Sequence, residues 1–323
     1  MNAKLLTNVM THHSLASDPP ILVDIGASGS IHPQWKEIAK FSKCIAFDAE
    51  SRAICLKDKG FKELNIVDKL VASTSGKVNF MVTKDLQCSS TLKPQPFTLK
   101  RFTFAHLFGI KKEVTLSSVT LTEALSEVGL TKIDWIKIDT QGTDLRIFNS
   151  LSLDLRQRIL VAEFEPALVE MYCGQDKLED LLGHLDLQQS FFLADMQVKG
   201  SPRLKAELID KVGTRSVRKA TCRGLKRSPC WVDLTYIKDI DLLNTTNMLL
   251  RDWLLLWVCA MTEKQIGYAY EVVIKMGTLF SDPIVSDLLQ ESKKALRIAQ
   301  IRGYLFPFTF RLKRLASSLH RAG

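Results

Sequence analysis

The sequence has seven cysteines in 323 residues but no C-x-x-C pair. Odd in number and scattered at 44, 55, 88, 173, 222, 230 and 259, they match neither a zinc site nor a disulfide framework, and read as reduced thiols. His12, His13, His106, His184 and His320 show no ligand spacing, so no metal site is expected. Long hydrophobic runs are missing too. The longest, "WLLLWVCAM" from residue 253 to 261, is far short of the ~20 residues that cross a bilayer. The first residues hold one lysine and a broken "LLTNVM" run, without the apolar centre of a secretory signal. A cytoplasmic location is expected, or a peripheral one at a membrane. Finally, the dinucleotide fingerprint G-x-G-x-x-G is absent, because the one glycine-rich turn, "VDIGASGS" at 23–30, lacks the third glycine. Hydride transfer loses ground.

Acids are absent from two stretches. Residues 211–228 hold seven Lys or Arg, and residues 297–323 hold six. Those thirteen cations exceed the net charge of +9, so the rest of the chain is net negative. A uniform nucleic-acid-binding coat is therefore not expected, and any anionic partner meets these two patches.

What is present is an ordinary globular composition, 46% hydrophobic and 24% charged. After Pro19-Pro20, "ILVDIGA" is a continuous apolar run with one acid, the pattern of a strand covered on both faces. Residues 33–42 predict a short helix opened by Pro33. "CIAFDAE" predicts a second strand, and 51–59 a helix stopped by Gly60. "LNIVDKLVAS" and "GKVNFMVT" continue the sheet, and 89–110 form a long irregular connection suited to binding. A helix follows over 121–130, then strands at "IDWIKIDTQG" and "RILVAEFEP", helical pattern over 167–188, and late strands at "SFFLADMQV" and "CWVDLTYI". Residues 245–323 are helical by period, broken at "RGYLFPF". The predicted division is a domain over 1–243 and a helical extension over 244–323.

Three predicted strands finish in acids: Asp48 with Glu50, Asp139, and Glu163 with Glu165. In an open α/β sheet the carboxyl ends gather in one crevice. Asp24, inside an apolar strand, needs a charged or hydrogen-bonding partner. Acids so placed suit S-adenosylmethionine, which carries a sulfonium, an ammonium and a ribose but no phosphate. The ordered motifs "LVDIGASGSIHPQW", "IAFDAE", "CSSTL", "TLTEAL", "DWIKIDTQGTDLRIF" and "VAEFEP" resemble the FkbM-type methyltransferase family over about residues 20–200. The resemblance implies a class I methyltransferase fold: an α/β, Rossmann-like, doubly wound sheet, mostly parallel with an antiparallel last strand. It also implies methyl transfer from S-adenosylmethionine to oxygen, often a sugar hydroxyl. Carried over by motif, Asp24, Gly26, Ala27 and Gly29 match the cofactor loop, Asp48 the ribose-binding acid, and Ser89 a position near the cofactor. Asp139 matches the acid ending the fourth strand. Two residues depart from the family pattern: Gln141, where many members have Glu, and Ser30, where glycine is common.

Asp139 is the leading candidate to orient the acceptor or take its proton, with His32 and Glu163 after it. Of Glu163 and Glu165, Glu163 is expected to face the crevice. Alternatives stay open. The glycines could mark a bare turn, and Asp139 could serve a helix start. The basic stretch near 211–228 reads as a solvated loop or as a clamp for an anionic acceptor, a small molecule or glycan. The C-terminal basic helices suit docking on their own domain, a partner or a membrane surface. A noncatalytic binding module on the same fold is the competing reading.

Overall fold

The computed structural model describes residues 1–27, 32–48, 60–184, 189–242 and 248–319, with side chains through residue 305. Gly29, Ser30, Glu50 and the helix expected over 51–59 lie outside these residues. The chain divides into two compact units: Pro19–Thr245, and Met1–Asp18 together with Thr246–Gly323.

The larger unit is built on seven strands. They are β1 (Ile21–Ile25), β2 (Lys43–Phe47), β3 (Glu63–Val67), β7 (Trp135–Ile138), β8 (Val161–Phe164), β9 (Phe191–Pro202) and β10 (Arg227–Lys238). Their order across the sheet is β3-β2-β1-β7-β8-β10-β9. Neighbours from β3 to β8 pair in parallel, and β10 pairs antiparallel with both β8 and β9. The last strand alone therefore runs backwards, as expected for the class I methyltransferase sheet. Every residue of β1 and β8 is buried, which explains why their sequences are continuous apolar runs instead of alternating ones. Ile136, Ile138, Phe148, Phe164 and Leu121 pack in the core between sheet and helices.

The segment expected to continue this sheet does so only through β3. The next strands, β4 (Leu70–Val71), β5 (Gly76–Thr83) and β6 (Ile110–Val119), form a separate sheet in the order β4-β6-β5. β6 is mostly exposed, so it lacks the apolar alternation that would have marked it. The predicted helix over 33–42 is two 3-10 turns, Pro33–Trp35 and Ala39–Phe41. The helix Leu121–Glu127 has the expected form, opened by a capping box between Thr120 and Glu123.

Among the described residues 167–184, only Leu178–Leu182 is helical. Gln175 diverts the rest. Its side chain accepts from the amides of Met171 and Tyr172 at 3.1 and 2.8 Å and donates to the Val169 carbonyl at 2.9 Å, engaging groups a helix ladder would use.

The described residues of the smaller unit form five helices, Ala3–Met10, His13–Ser17, Leu250–Thr262, Ile266–Leu279 and Pro283–Leu319. The expected break at "RGYLFPF" is absent. Proline in a helix interior removes one i→i−4 bond at a cost of about 3 kcal/mol, which long flanking ladders can carry. The first 18 residues, expected with the 1–243 domain, fall in this helical unit. Leu6, Val9, Met10 and Leu15 are buried there, the Asn2 amide donates to Glu291 Oε1 at 2.9 Å, and buried Arg251 donates to the Asp18 carbonyl at 3.1 Å. Trp257 donates to Ser292 Oγ at 2.9 Å, so this tryptophan is core. Among the described residues no helix is long and apolar enough to cross a membrane.

Candidate functional site

A cleft of about 210 Å³ opens at the carboxyl ends of β1, β2, β7 and β8. Gly26, Asp48, Ser89, Asp139, Gln141 and Glu165 line it. The turn after β1 is fixed by the Gly26 and Ala27 amides, which both donate to the Phe47 carbonyl at 3.0 Å. Gly26 has φ +86°, and a Cβ there would lie 2.0 Å from the Asp139 carbonyl oxygen. Glycine is thus required by two backbones meeting, and the turn is held against the end of β7. Ala27 is fully buried against Ala46 and serves packing. Asp48, directly after β2, is buried at the cleft wall. Ser89 accepts from the Thr83 amide at 3.2 Å.

The other predicted acids lie deeper. Asp24 stands beside Lys137 in the β1–β7 register, and Lys137 beside Glu163 in the β7–β8 register. Lys137 Nζ sits 3.5 Å from both Asp24 Oδ1 and Asp139 Oδ2. Burial raises the Asp24 pKa, and Lys137 opposes this. Burial alone would depress Lys137, but the carboxylates of Asp24, Asp139 and Glu163 outweigh it and hold the ammonium protonated. Glu163 accepts from Trp135 Nε1 and pairs with His32 Nε2 at 3.0 Å. Neither His32 nor Glu163 is among the cleft residues, so they meet each other and not the crevice. Glu165 is the one at the cleft, correcting the choice between the pair. Both lie on the same side of the strand period, but Glu163 is inside β8 and Glu165 one residue past its end.

Gln141 sits at φ +59°, a left-handed conformation uncommon outside glycine. Its Nε2 donates to Asp139 Oδ1 at 2.8 Å, and its Oε1 lies 3.1 Å from the Tyr172 hydroxyl, which also donates to the Cys88 carbonyl at 2.8 Å. This amide orientation satisfies both neighbours; the reverse would set oxygen against carboxylate. Ser90 Oγ holds the Gln141 carbonyl at 2.8 Å. The residue that departs from the family pattern therefore anchors the leading acid candidate.

Asp144 organises the same turn. It accepts from Thr140 N and Oγ1 at 3.0 and 2.7 Å and from the Glu165 amide at 3.0 Å. Burial, then Asp139, pushes its carboxyl up to about 6. Burial, followed by the carboxylates of Asp139, Asp233 and Asp144, pushes Glu165 up to about 9, so it is a neutral carboxylic acid at pH 7.

A second cavity, of about 410 Å³, is lined by aromatic residues and by Lys219, Arg223 and Arg227. It shares Gln87, Gln141 and Glu165 with the cleft. Part of the predicted irregular connection forms its wall. Phe104 lies 5.3 Å from Phe108 and 6.3 Å, edge-on, from Trp231.

Residues 64–190 match the model of the methyltransferase FkbM domain. This match supports a methyltransferase. The matched span begins at β3 and contains Asp139, Gln141, Tyr172 and Glu165, whereas the Gly26 turn and Asp48 precede it. The precorrin-6y C5,15-methyltransferase from Geobacter metallireducens GS-15 is a similar solved structure, at 11% identity and TM-score 0.32, covering 73% of this chain and 88% of that one. No curated protein sequence matches the chain. The seven-strand order on its own carries the fold assignment.

Sequence reasoning missed the roles of Glu165, Asp144 and Tyr172. The first two sit inside the quoted motifs and were open to notice. Tyr172 is 31 positions from Gln141, and no local pattern joins them.

Proposed function

We propose that the chain is an S-adenosylmethionine-dependent O-methyltransferase acting on a hydroxyl of a sugar or glycan intermediate. The observation that carries this reading is one cleft in which the Gly26 turn, the buried Asp48 carboxylate and Asp139 meet at the carboxyl ends of β1, β2 and β7. The residues fit the cofactor. Gly26 lets the turn approach without a side chain, Asp48 can accept from a ribose hydroxyl, and Asp139 offers a carboxylate to a cationic group or an acceptor. Bound there, S-adenosylmethionine supplies a methyl group on a positively charged sulfur.

The protein's part is alignment and proton removal. Asp139, held from two sides by Gln141 and Lys137, keeps a fixed carboxylate at the cleft. Placed against an acceptor hydroxyl, it would orient the oxygen and accept its proton. Glu165, neutral at pH 7, can donate a hydrogen bond to the acceptor but is no base. The second cavity gives the acceptor an approach that leaves the cleft to the cofactor.

Calorimetric titration with S-adenosylhomocysteine tests the reading. The wild type should bind, and Asp48→Ala should weaken binding at least about tenfold, as expected for a lost pair of charge-assisted hydrogen bonds. A wild type that does not bind contradicts the enzyme reading and favours a binding module.

A further inference from the structure

The cavity beside the cleft is lined by two chemically different groups of side chains. Lys219 and Arg223 are four residues apart on the helix Arg215–Gly224, so they project from one face, and Arg227 opens β10 immediately after it. All three line the cavity. Arg218, on the same helix, is paired with Asp210, but Lys219, Arg223 and Arg227 make no ion pair among the described residues. The lining contains two acids, Asp85 and Glu165. Asp85 already accepts from the Gln87 amide at 3.2 Å. The lining also includes Phe104, Phe108 and Trp231, with Phe104 packed against the other two.

A solvated charge run would spread its cations around the helix. Here three cations without an ion pair among the described residues border one concave site that aromatic side chains also line. Two guanidiniums and an ammonium suit an oxyanion with several acceptor oxygens, which a phosphoryl group supplies better than a single carboxylate. The aromatic side chains suit the C–H face of a ring body. At about 410 Å³, the cavity is within the usual range of small-molecule sites, roughly 300–1,000 Å³.

We propose that this cavity is the acceptor subsite and that it selects a phosphorylated, hydroxyl-bearing acceptor. Lys219, Arg223 and Arg227 hold the phosphoryl group, Phe104 and Trp231 carry the ring, and the hydroxyl is presented where Gln141 and Glu165 join the cavity to the cleft. The proposal rests on the methyltransferase reading above and names the substrate class of the same site.

The test is binding by the full chain, read apart from turnover. Glucose 1-phosphate, glucose and glucuronate are titrated by calorimetry, in the presence and absence of S-adenosylhomocysteine. Glucose 1-phosphate should bind at least about tenfold more tightly than glucose or glucuronate. The double variant Arg223→Gln, Arg227→Gln should lose that advantage while keeping the wild-type affinity for S-adenosylhomocysteine. Lys205→Ala, which removes an exposed cation outside the cavity, should change neither. Equal binding of glucose and glucose 1-phosphate overturns the proposal, as does an advantage that survives the double variant. Glucuronate matching glucose 1-phosphate overturns the phosphoryl assignment. Failure of S-adenosylhomocysteine alone to bind sinks the methyltransferase reading, and the anion comparison is scored separately from it.

Discussion

Two groups of carboxylates in the larger unit differ in depth along their strands. Asp24 and Glu163 lie inside strands and are matched there, Asp24 by Lys137, and Glu163 by His32 and Trp135. Asp48, Asp139 and Glu165 follow the last residue of β2, β7 and β8 and line the cleft. A shift of one or two residues along a strand separates an acid that holds the sheet together from one that meets a ligand. Lys137 bridges the two groups, being equidistant from Asp24 and Asp139.

Breaking the inner group should have the largest effect. Lys137→Met leaves Asp24 buried without its cation and should destabilise the fold by about 3–5 kcal/mol at neutral pH, measured by urea unfolding. Adding Asp24→Asn should recover part of that loss. If Lys137→Met alone is neutral, the inner acids are not held by this pairing. Asp139→Asn acts on the outer group instead. Turnover on the acceptor should drop about a hundredfold or more, as for loss of a general base, with a melting temperature close to wild type. Unchanged turnover would remove Asp139 from the chemistry.

Glu165 sharpens the contrast through pH. Its folded pKa of about 9 lies above the unfolded value of about 4.3, so the folded state binds the proton more tightly. Its stabilising contribution is complete below pH 4 and disappears as pH rises toward 9. Glu165→Gln should therefore gain stability on wild type steadily as pH rises from 4 to 9, and show no such gain at pH 4. A difference independent of pH would refute this. The smallest effect is expected from Gln141→Glu, which sets a second carboxylate against Asp139. One of the two then holds its proton more tightly, and the acid limb of the turnover profile should move up by about one pH unit.

The sheet was legible because its central strands are buried on both faces and so appear as unbroken apolar runs ending in acids. That pattern placed Asp48 and Asp139 at the crevice correctly. It misled for Glu163, because where β8 stops decides between residues two apart, and an apolar run does not mark its own last hydrogen bond. The β4-β6-β5 sheet escaped because β6 is polar on most of its length. The link between Gln141 and Tyr172 joins two loops through side chains, and periodicity does not record such links. The alliance of residues 1–18 with the C-terminal helices is likewise set by long-range contacts such as Asn2 with Glu291.

Hydrogen exchange with and without S-adenosylhomocysteine tests the central claim, that the outer acids form the cofactor cleft, most directly. Added ligand should slow exchange at Gly26–Ala27, at Asp48 and across 139–143, and leave the amides of 250–279 unchanged. Protection absent from the ends of β1, β2 and β7, or confined to the helical unit, would contradict it.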